Sequence, residues 1–543
     1  MPLRNLLGAS TILLVGCSFL VDFPDVAGNG GGPNGGSGGT PIPMGGAPNG
    51  GSGGTGAGGN PDGGMAGAAT GGGGGCALDP QSFVPDFDWT AQLGTATVDG
   101  YAPEVIAIDQ DGDVWWAGAM SGGSLNAGGN PVVSTTGVSA GIWVLELDDT
   151  GKSKRGFLFG ASSSTKVYDI AVLPNGHIAL AGSFEGTIDF GDQEITSTQP
   201  DNQDPYNLLD GFVAVLDPDQ GVVTHARAIG DGGYQEVTSI GADSTGALVV
   251  AAVVYGAIDW GDGPKANQGI TLARLNEDLT LDWSREFTTG ATTTASVAVV
   301  PGDDSIILGG ATESAGALGQ ITPGEVVVGG YDAFVARYAS DGKWMWHRLL
   351  GDDYYQAVSV TTVAPNRDIL VAGTFLQGLK EHGTSTVFQS GATGYEEDDA
   401  FIARFDVDTG DTRWFQQIHG PSYQVVRDLK VDCGDRVIAV GSVHSPVSEG
   451  VDFGDGEIVQ STSADDYDDL FLASYQGDDG HLLFKKRVGD DYVEVFHRLE
   501  LDAQGRVVMA GAFFFSIVLD PAIGGSMQSP GWDLFLARYN TNM

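Results

Sequence analysis

The chain has 543 residues and carries 70 acidic against 25 basic side chains, a net charge of −45 with a pI near 4.1. Such a charge repels nucleic acid unless a basic stripe overrides it, and no Lys/Arg run exceeds Lys485-Lys486-Arg487, so nucleic-acid binding is excluded. Hydrophobic residues at 41% are too many for a disordered chain, while the 86 glycines exceed twice average usage and are concentrated in one segment.

Residues 1–16 carry Arg4 near their start and an apolar stretch over 6–15, and Leu14-Val15-Gly16-Cys17 straddles their end. This resembles a bacterial lipoprotein export signal: too short to span a bilayer, with small residues before a cysteine that becomes the acylated N-terminus. The resemblance implies that Cys17 carries the lipid, and Ser18 behind it implies an outer-membrane lipoprotein on the periplasmic or cell-surface face. Over 28–75 more than half of the residues are glycine. Such a segment builds no core and reads as a flexible tether reaching roughly 40 Å. The domain reading is therefore 1–16 signal peptide, 17–82 lipidated N-terminus and tether, and 83–543 folded head.

The head is a repeat array. Asp-x-Phe-Val-Ala-Arg-Tyr recurs at 332–338, 399–405, 469–475 and 533–539, with weaker copies at 210–216, 269–275 and 141–147. An apolar run ending in Ala-Gly, Gly-Gly or a close variant precedes each copy, at 114–118, 178–182, 248–252, 306–310, 369–373, 437–441 and 507–511. A β-prone stretch comes before each run and another follows each Asp-x-Phe unit, the links being turn residues such as Asp111-Gly112 and Asn175-Gly176. Four strands per unit, seven units and no helical period predict an all-β fold, a seven-bladed β-propeller. Residues 86–94 match a fourth strand but come first, and the chain stops soon after a third strand. The N-terminal strand is therefore expected to complete blade seven, a closure that resembles WD-repeat propellers. The array as a whole is similar to the bacterial seven-bladed β-propeller repeat family, which implies the fold and an extracytoplasmic setting but no catalytic residue.

Motifs that carry chemistry elsewhere read here as architecture. Residues 405–414 resemble the tryptophan-docking motif of quinone-dependent propellers, complete in one blade only, and are expected to form a turn with a core Trp414. Gly137-Val138-Ser139-Ala140-Gly141 fits a nucleophile elbow in a chain without helices, and Lys152-Ser153 a phosphate loop without its glycine; both are read as turns. The eight histidines, at 177, 225, 347, 382, 419, 444, 481 and 497, occur singly, without zinc-site spacing. Asp109-Gln110-Asp111-Gly112-Asp113 resembles the start of a calcium loop but lacks the distal Glu and equally suits a hairpin turn. Units ending in Asp-Phe-Gly-Asp or Asp-Trp-Gly-Asp recur at 186–192, 256–262 and 450–455 and read as repeat elements. With Cys17 lipidated, Cys76 and Cys433 are expected to form a disulfide, the alternative being two free thiols.

The long segments 119–140, 183–209, 374–398 and 442–468 should emerge on one face as binding loops. The same face should gather Asp231, Tyr234, Asp352, Asp353, Tyr354, Asp490, Asp491 and Tyr492 beside Glu396, Glu397, Asp398 and residues 465–468. The expectation is a monomeric, non-enzymatic lipoprotein held to the membrane by its lipid. It needs no cofactor, unless calcium joins the acidic face, and binds a protein or glycan there. The alternative is an extracytoplasmic hydrolase or lyase acting on a glycan through axial carboxylates.

Overall fold

The recurring Gly and Phe of the two sequence units face each other across neighbouring strands. Phe212 pairs with Gly182, Phe334 with Gly310, Phe401 with Gly373, Phe471 with Gly441 and Phe535 with Gly511. A side chain at these glycines would collide with the ring opposite; a Cβ on Gly373 would also meet the Ala357 carbonyl. The computed structural model describes residues 78–541 except 95–103, 122–123, 128–129, 135–139, 199–208, 232, 291, 293, 320–326, 328–329, 383–385, 391–397, 445–449, 461–467, 490–491 and 521–524. The signal segment, Cys17, the Gly-rich stretch and Cys76 thus lie outside the described residues.

Seven four-stranded antiparallel blades follow in chain order, and no α-helix occurs among the described residues. Blade two is representative: Thr165–Val172 inside, then Ile178–Phe184, Asp210–Asp217 and Val222–Ile229 outermost. Blade seven closes as the sequence predicts, with Pro85–Gly94 antiparallel to Gly525–Thr541 from Pro85↔Thr541 to Gly94↔Asp533. Residues 78–82, assigned to the tether in the sequence reading, contribute contacts to the head. Leu78 and Phe83 are buried, Arg436 donates to the Ser82 carbonyl (2.7 Å) and its guanidinium lies 5.2 Å from the Phe83 ring centre. Cys433 is disulfide-bonded. The neighbouring Gly434 lies against Leu78, where an added Cβ would sit 3.0 Å from that of the leucine.

The Asp and Arg of the repeat hold opposite ends of the third strand. Asp332 accepts a bond from His382 (2.7 Å), Asp399 from Gln417 (2.9 Å) and Asp533 from Gln92 (2.6 Å). The arginines reach carboxylates in turns: Arg274 to Asp243 (2.5 Å), Arg337 to Asp303 (2.7 Å) and Arg404 to Asp368 (3.0 Å). Between blades, an outer-strand Trp lies over a turn glycine of the next blade and donates to a carbonyl there. Trp89 bonds Asp149, Trp283 bonds Ser340, Trp346 bonds Val407 and Trp414 bonds Gly477. Gly410 shows why the turn residue is glycine: its φ is +70°, and a Cβ would stand 2.7 Å from the Trp346 ring. The docking expected at Trp414 alone therefore operates at four blade boundaries among the described residues.

The long segments expected to be binding loops are in part buttresses. The hairpin Ser124–Ala127/Asn130–Ser134 pairs with Leu93 and Gly94, and Thr187–Asp189/Glu194–Thr196 with Gly160 and Ala161. The hairpins at Gly378–Lys380 and Gly450–Asp452 reach the preceding blade through bridges Leu350↔Glu381 and His419↔Asp452. Each hairpin thus covers the edge of the preceding blade's outer strand.

Candidate functional site

The predicted acidic rim divides once its partners are known. Asp231 accepts bonds from Gln235 and the Ala257 amide (both 3.3 Å). Asp352 accepts from Gln356 (2.7 Å) and the Tyr354 amide (3.0 Å). These aspartates lock their own loops. Tyr234 packs edge-on against Tyr255 and, with Tyr168, lies beside the buried Glu236; burial and that carboxylate push both phenols up. Asp398 is half-buried, its carboxyl raised to about 6 by desolvation, so it does not sit on an open rim. Asp353 is exposed. Asp490, Asp491, Glu396, Glu397 and 465–467 lie outside the described residues.

Tyr492 belongs to a different grouping. It is 41% exposed, with its ring centre 5.3 Å from Phe515, which stands 4.1 Å from Phe514, itself 5.4 Å from Trp532. Phe515 occupies the bulge between Phe514 and Ser516 in Val507–Asp520, at φ +65°, and is 40% exposed. Left-handed backbone costs a bulky residue about 1–2 kcal/mol. A ring left this open regains little of that by burial. The quartet comes from the blade six–seven connection and the hairpin of blade seven, so it lies on the face where the binding loops are expected.

The channel along the axis is a second site. Five inner strands bulge at the same place, at Tyr168, Thr238, Ser359, Arg427 and His497. Each bulge breaks the ladder locally. In three of these blades the amide two residues after the bulge bonds a side chain of the preceding blade, and Val297 of the unbulged blade four does the same. Ile240 donates to Asp169 (2.9 Å), Val297 to Ser239 (3.2 Å), Thr361 to Ser296 (3.1 Å) and Leu499 to Asp428 (2.9 Å). Below this belt Lys430 and Glu500 pair at 2.6 Å. The cavity, about 220 Å³, has a charged wall on blades two, six and seven and a wall rich in serine and threonine on blades three to five. A larger cavity of about 410 Å³ opens between outer strands of blades three and four, but its Trp283 is already engaged in docking.

The calcium-like sequence is a turn: Asp109 accepts from the Asp111 and Asp113 amides (3.0 Å each) and from Trp115 (2.9 Å). Asp189, Asp259 and Asp452 likewise cap glycine turns. Among the described residues no three His, Cys, Asp or Glu side chains group to hold a metal.

The docked tryptophans were legible as single residues but not as a set, because only residues 405–414 keep the whole motif. Phe515 gave no sequence signal, since nothing in Phe513-Phe514-Phe515 marks which ring turns outward. No protein-family model matches the chain, and no curated protein does. Among solved structures the chain is similar to quinohemoprotein alcohol dehydrogenase from Comamonas testosteroni, at 10% identity and TM-score 0.41 over 85% of this chain and 78% of that one. It is also similar to BamB from Moraxella catarrhalis, at 10% identity and TM-score 0.35 over 83% and 100%. A third similarity is to polysaccharide lyase Uly1, at 10% identity and TM-score 0.37 over 80% and 89%. The fold rests on the chain's own sheets, whose seven four-stranded blades make it a seven-bladed β-propeller.

Proposed function

We propose that the head is a non-enzymatic binding module whose blade-seven aromatic patch engages a glycan, and that a lipid on Cys17 holds it at the cell envelope. The observation that carries the binding reading is Phe515: strained backbone spent on an exposed ring is explained by a ligand that covers the ring. Aromatic faces stack on the C–H faces of sugar rings and need no positive charge, which suits a chain of net charge −45. The axial aspartates favour binding over catalysis, because Asp169 and Asp428 each already accept amide bonds from a neighbouring blade. A carboxylate doing acid–base work needs free access to substrate.

The test uses the full-length protein and a panel of neutral hexasaccharides built on glucose, N-acetylglucosamine or mannose, read by isothermal titration calorimetry. Phe515→Ala and Tyr492→Ala should each weaken binding more than about tenfold. Phe515→Gly should do the same without lowering the unliganded melting temperature, because glycine accepts the left-handed backbone. Binding unchanged in all three variants would refute the patch. The anchor is tested separately: Cys17→Ser should leave the detergent phase on partitioning, and an unaltered distribution would refute lipidation.

A further inference from the structure

Charge is placed economically elsewhere in the blades. The guanidiniums of Arg274, Arg337, Arg404 and Arg436 all face carboxylates, as expected where unpaired buried charge is costly. Arg427 departs from this. It lines the axial cavity, its Nε is buried without a partner, and its guanidinium makes no hydrogen bond or ion pair with any described residue.

The acids that share the cavity are engaged with other donors. Asp169 holds the amides of Ile170 and Ile240 and the Ser239 hydroxyl, Asp428 holds the amides of Leu429 and Leu499, and Glu500 holds Lys430. Arg498, on the next blade, donates to the carbonyls of Tyr168 and His497. In a chain with 70 acidic residues, a cation left open inside a cavity is a place for an anion that the chain does not itself supply.

The groups at the same level are donors. His497 is 7% exposed; its Nδ1 accepts the Glu104 amide (3.3 Å), which leaves the proton on Nε2, and Nε2 has no partner. Burial together with Arg427 and Arg498 lowers the imidazole to about 3, so this nitrogen is a neutral N–H donor. On the other side of Arg427, Ser359 makes only a long bond to the Ala372 carbonyl (3.4 Å). Glu104 stands beyond His497, 2% exposed, with Oε2 accepting from Trp116 and Oε1 3.7 Å from His497 Nδ1 without a hydrogen bond; burial favours its neutral, protonated form. Three consecutive blades thus carry a hydroxyl, a guanidinium and an imidazole N–H at one level, Ser359 and Arg427 lining the cavity and His497 buried beside them.

We infer that the axial channel is a binding site for a small organic acid, whose carboxylate pairs with Arg427 between Ser359 and His497. A carboxylate is the class favoured, because a planar guanidinium meets its two oxygens side by side. The cavity of about 220 Å³ admits a ligand of acetate to succinate size. This site is separate from the blade-seven patch and stands or falls independently of it.

The test is thermal unfolding and calorimetric titration of the full-length chain with sodium acetate and sodium succinate, against sodium chloride at matched ionic strength. The wild type should gain melting temperature from a carboxylate beyond the chloride control. Arg427→Gln should lose that gain, with affinity reduced about tenfold or more, and Arg427→Lys should keep part of it. Arg427→Gln should also unfold at no lower a temperature than wild type without added acid, since it removes a half-buried charge that has no partner, so loss of binding cannot be mistaken for misfolding. His497→Gln, which retains an N–H donor, should weaken binding less than His497→Leu. Equal gains from chloride and acetate in the wild type, or an undiminished acetate gain in Arg427→Gln, would overturn the inference.

Discussion

Asp399, the first residue of its Asp-Ala-Phe unit, shows how one repeated side chain ties stability to pH. It is fully buried and accepts bonds from Gln417 and the Gly420 amide, yet desolvation outweighs these donors and raises its carboxyl to about 6. Its neighbour Asp398 is raised to about 6 by desolvation. A carboxyl whose folded pKa lies above its unfolded value favours the native state while protonated. That share is fully present below about pH 4 and is lost as pH rises through 6. Asp243 and Asp303, lowered because hydrogen bonds and arginines outweigh desolvation, act in the opposite sense: their share is present at neutral pH and lost on acidification. The prediction concerns a difference between variants. Asp398→Asn/Asp399→Asn should be more stable than wild type at pH 7.5 by about 1–3 kcal/mol, with the gap closing by pH 4.5. Urea unfolding at the two pH values measures it, and a gap that does not change with pH would remove these two carboxyls as the cause.

At the scale of elements, what the sequence showed and what it hid have one physical origin. Positions that serve every blade alike must hold the same residue, so the Gly–Phe pairs, the third-strand Asp and the strand that closes the ring were legible as repeats. Positions that serve one blade are not repeated. The bulge place carries Tyr168, Thr238, Ser359, Arg427 and His497, five different side chains on one backbone feature, and no sequence period marks it. The hairpins at 124–134 and 187–196 were hidden for another reason. Their strands are only three to five residues long and have glycine between them, so they resemble loops, and their pairing is with the preceding blade, far from their own repeat. Tyr492 was picked out from its acidic, aromatic connection, but its partner Phe515 was not, because the bulge that turns that ring outward depends on the register with Gly525–Thr541.

Across the whole molecule, the excess of acid is a surface property, and the axial cavity is neutral in sum although Arg427 has no partner of its own. The axial cavity is lined by Asp169, Asp428 and Glu500 against Arg427, Lys430 and Arg498, three of each sign, so the net −45 resides elsewhere. Like charges spread over a surface repel and are screened by salt with a Debye length of about 10 Å at 0.1 M, so added sodium chloride should raise the melting temperature. Whether calcium does more depends on free carboxylates converging, since a hard cation needs six or more oxygens around it. The described acidic turns are not arranged that way: Asp231 and Asp352 hold their own loops, and Asp109, Asp189, Asp259 and Asp452 accept amide bonds within turns. Calcium chloride and sodium chloride at equal ionic strength should therefore raise the melting temperature equally. A calcium-specific excess that vanished in Asp490→Asn/Asp491→Asn would overturn this and locate a cation site on the blade six–seven connection.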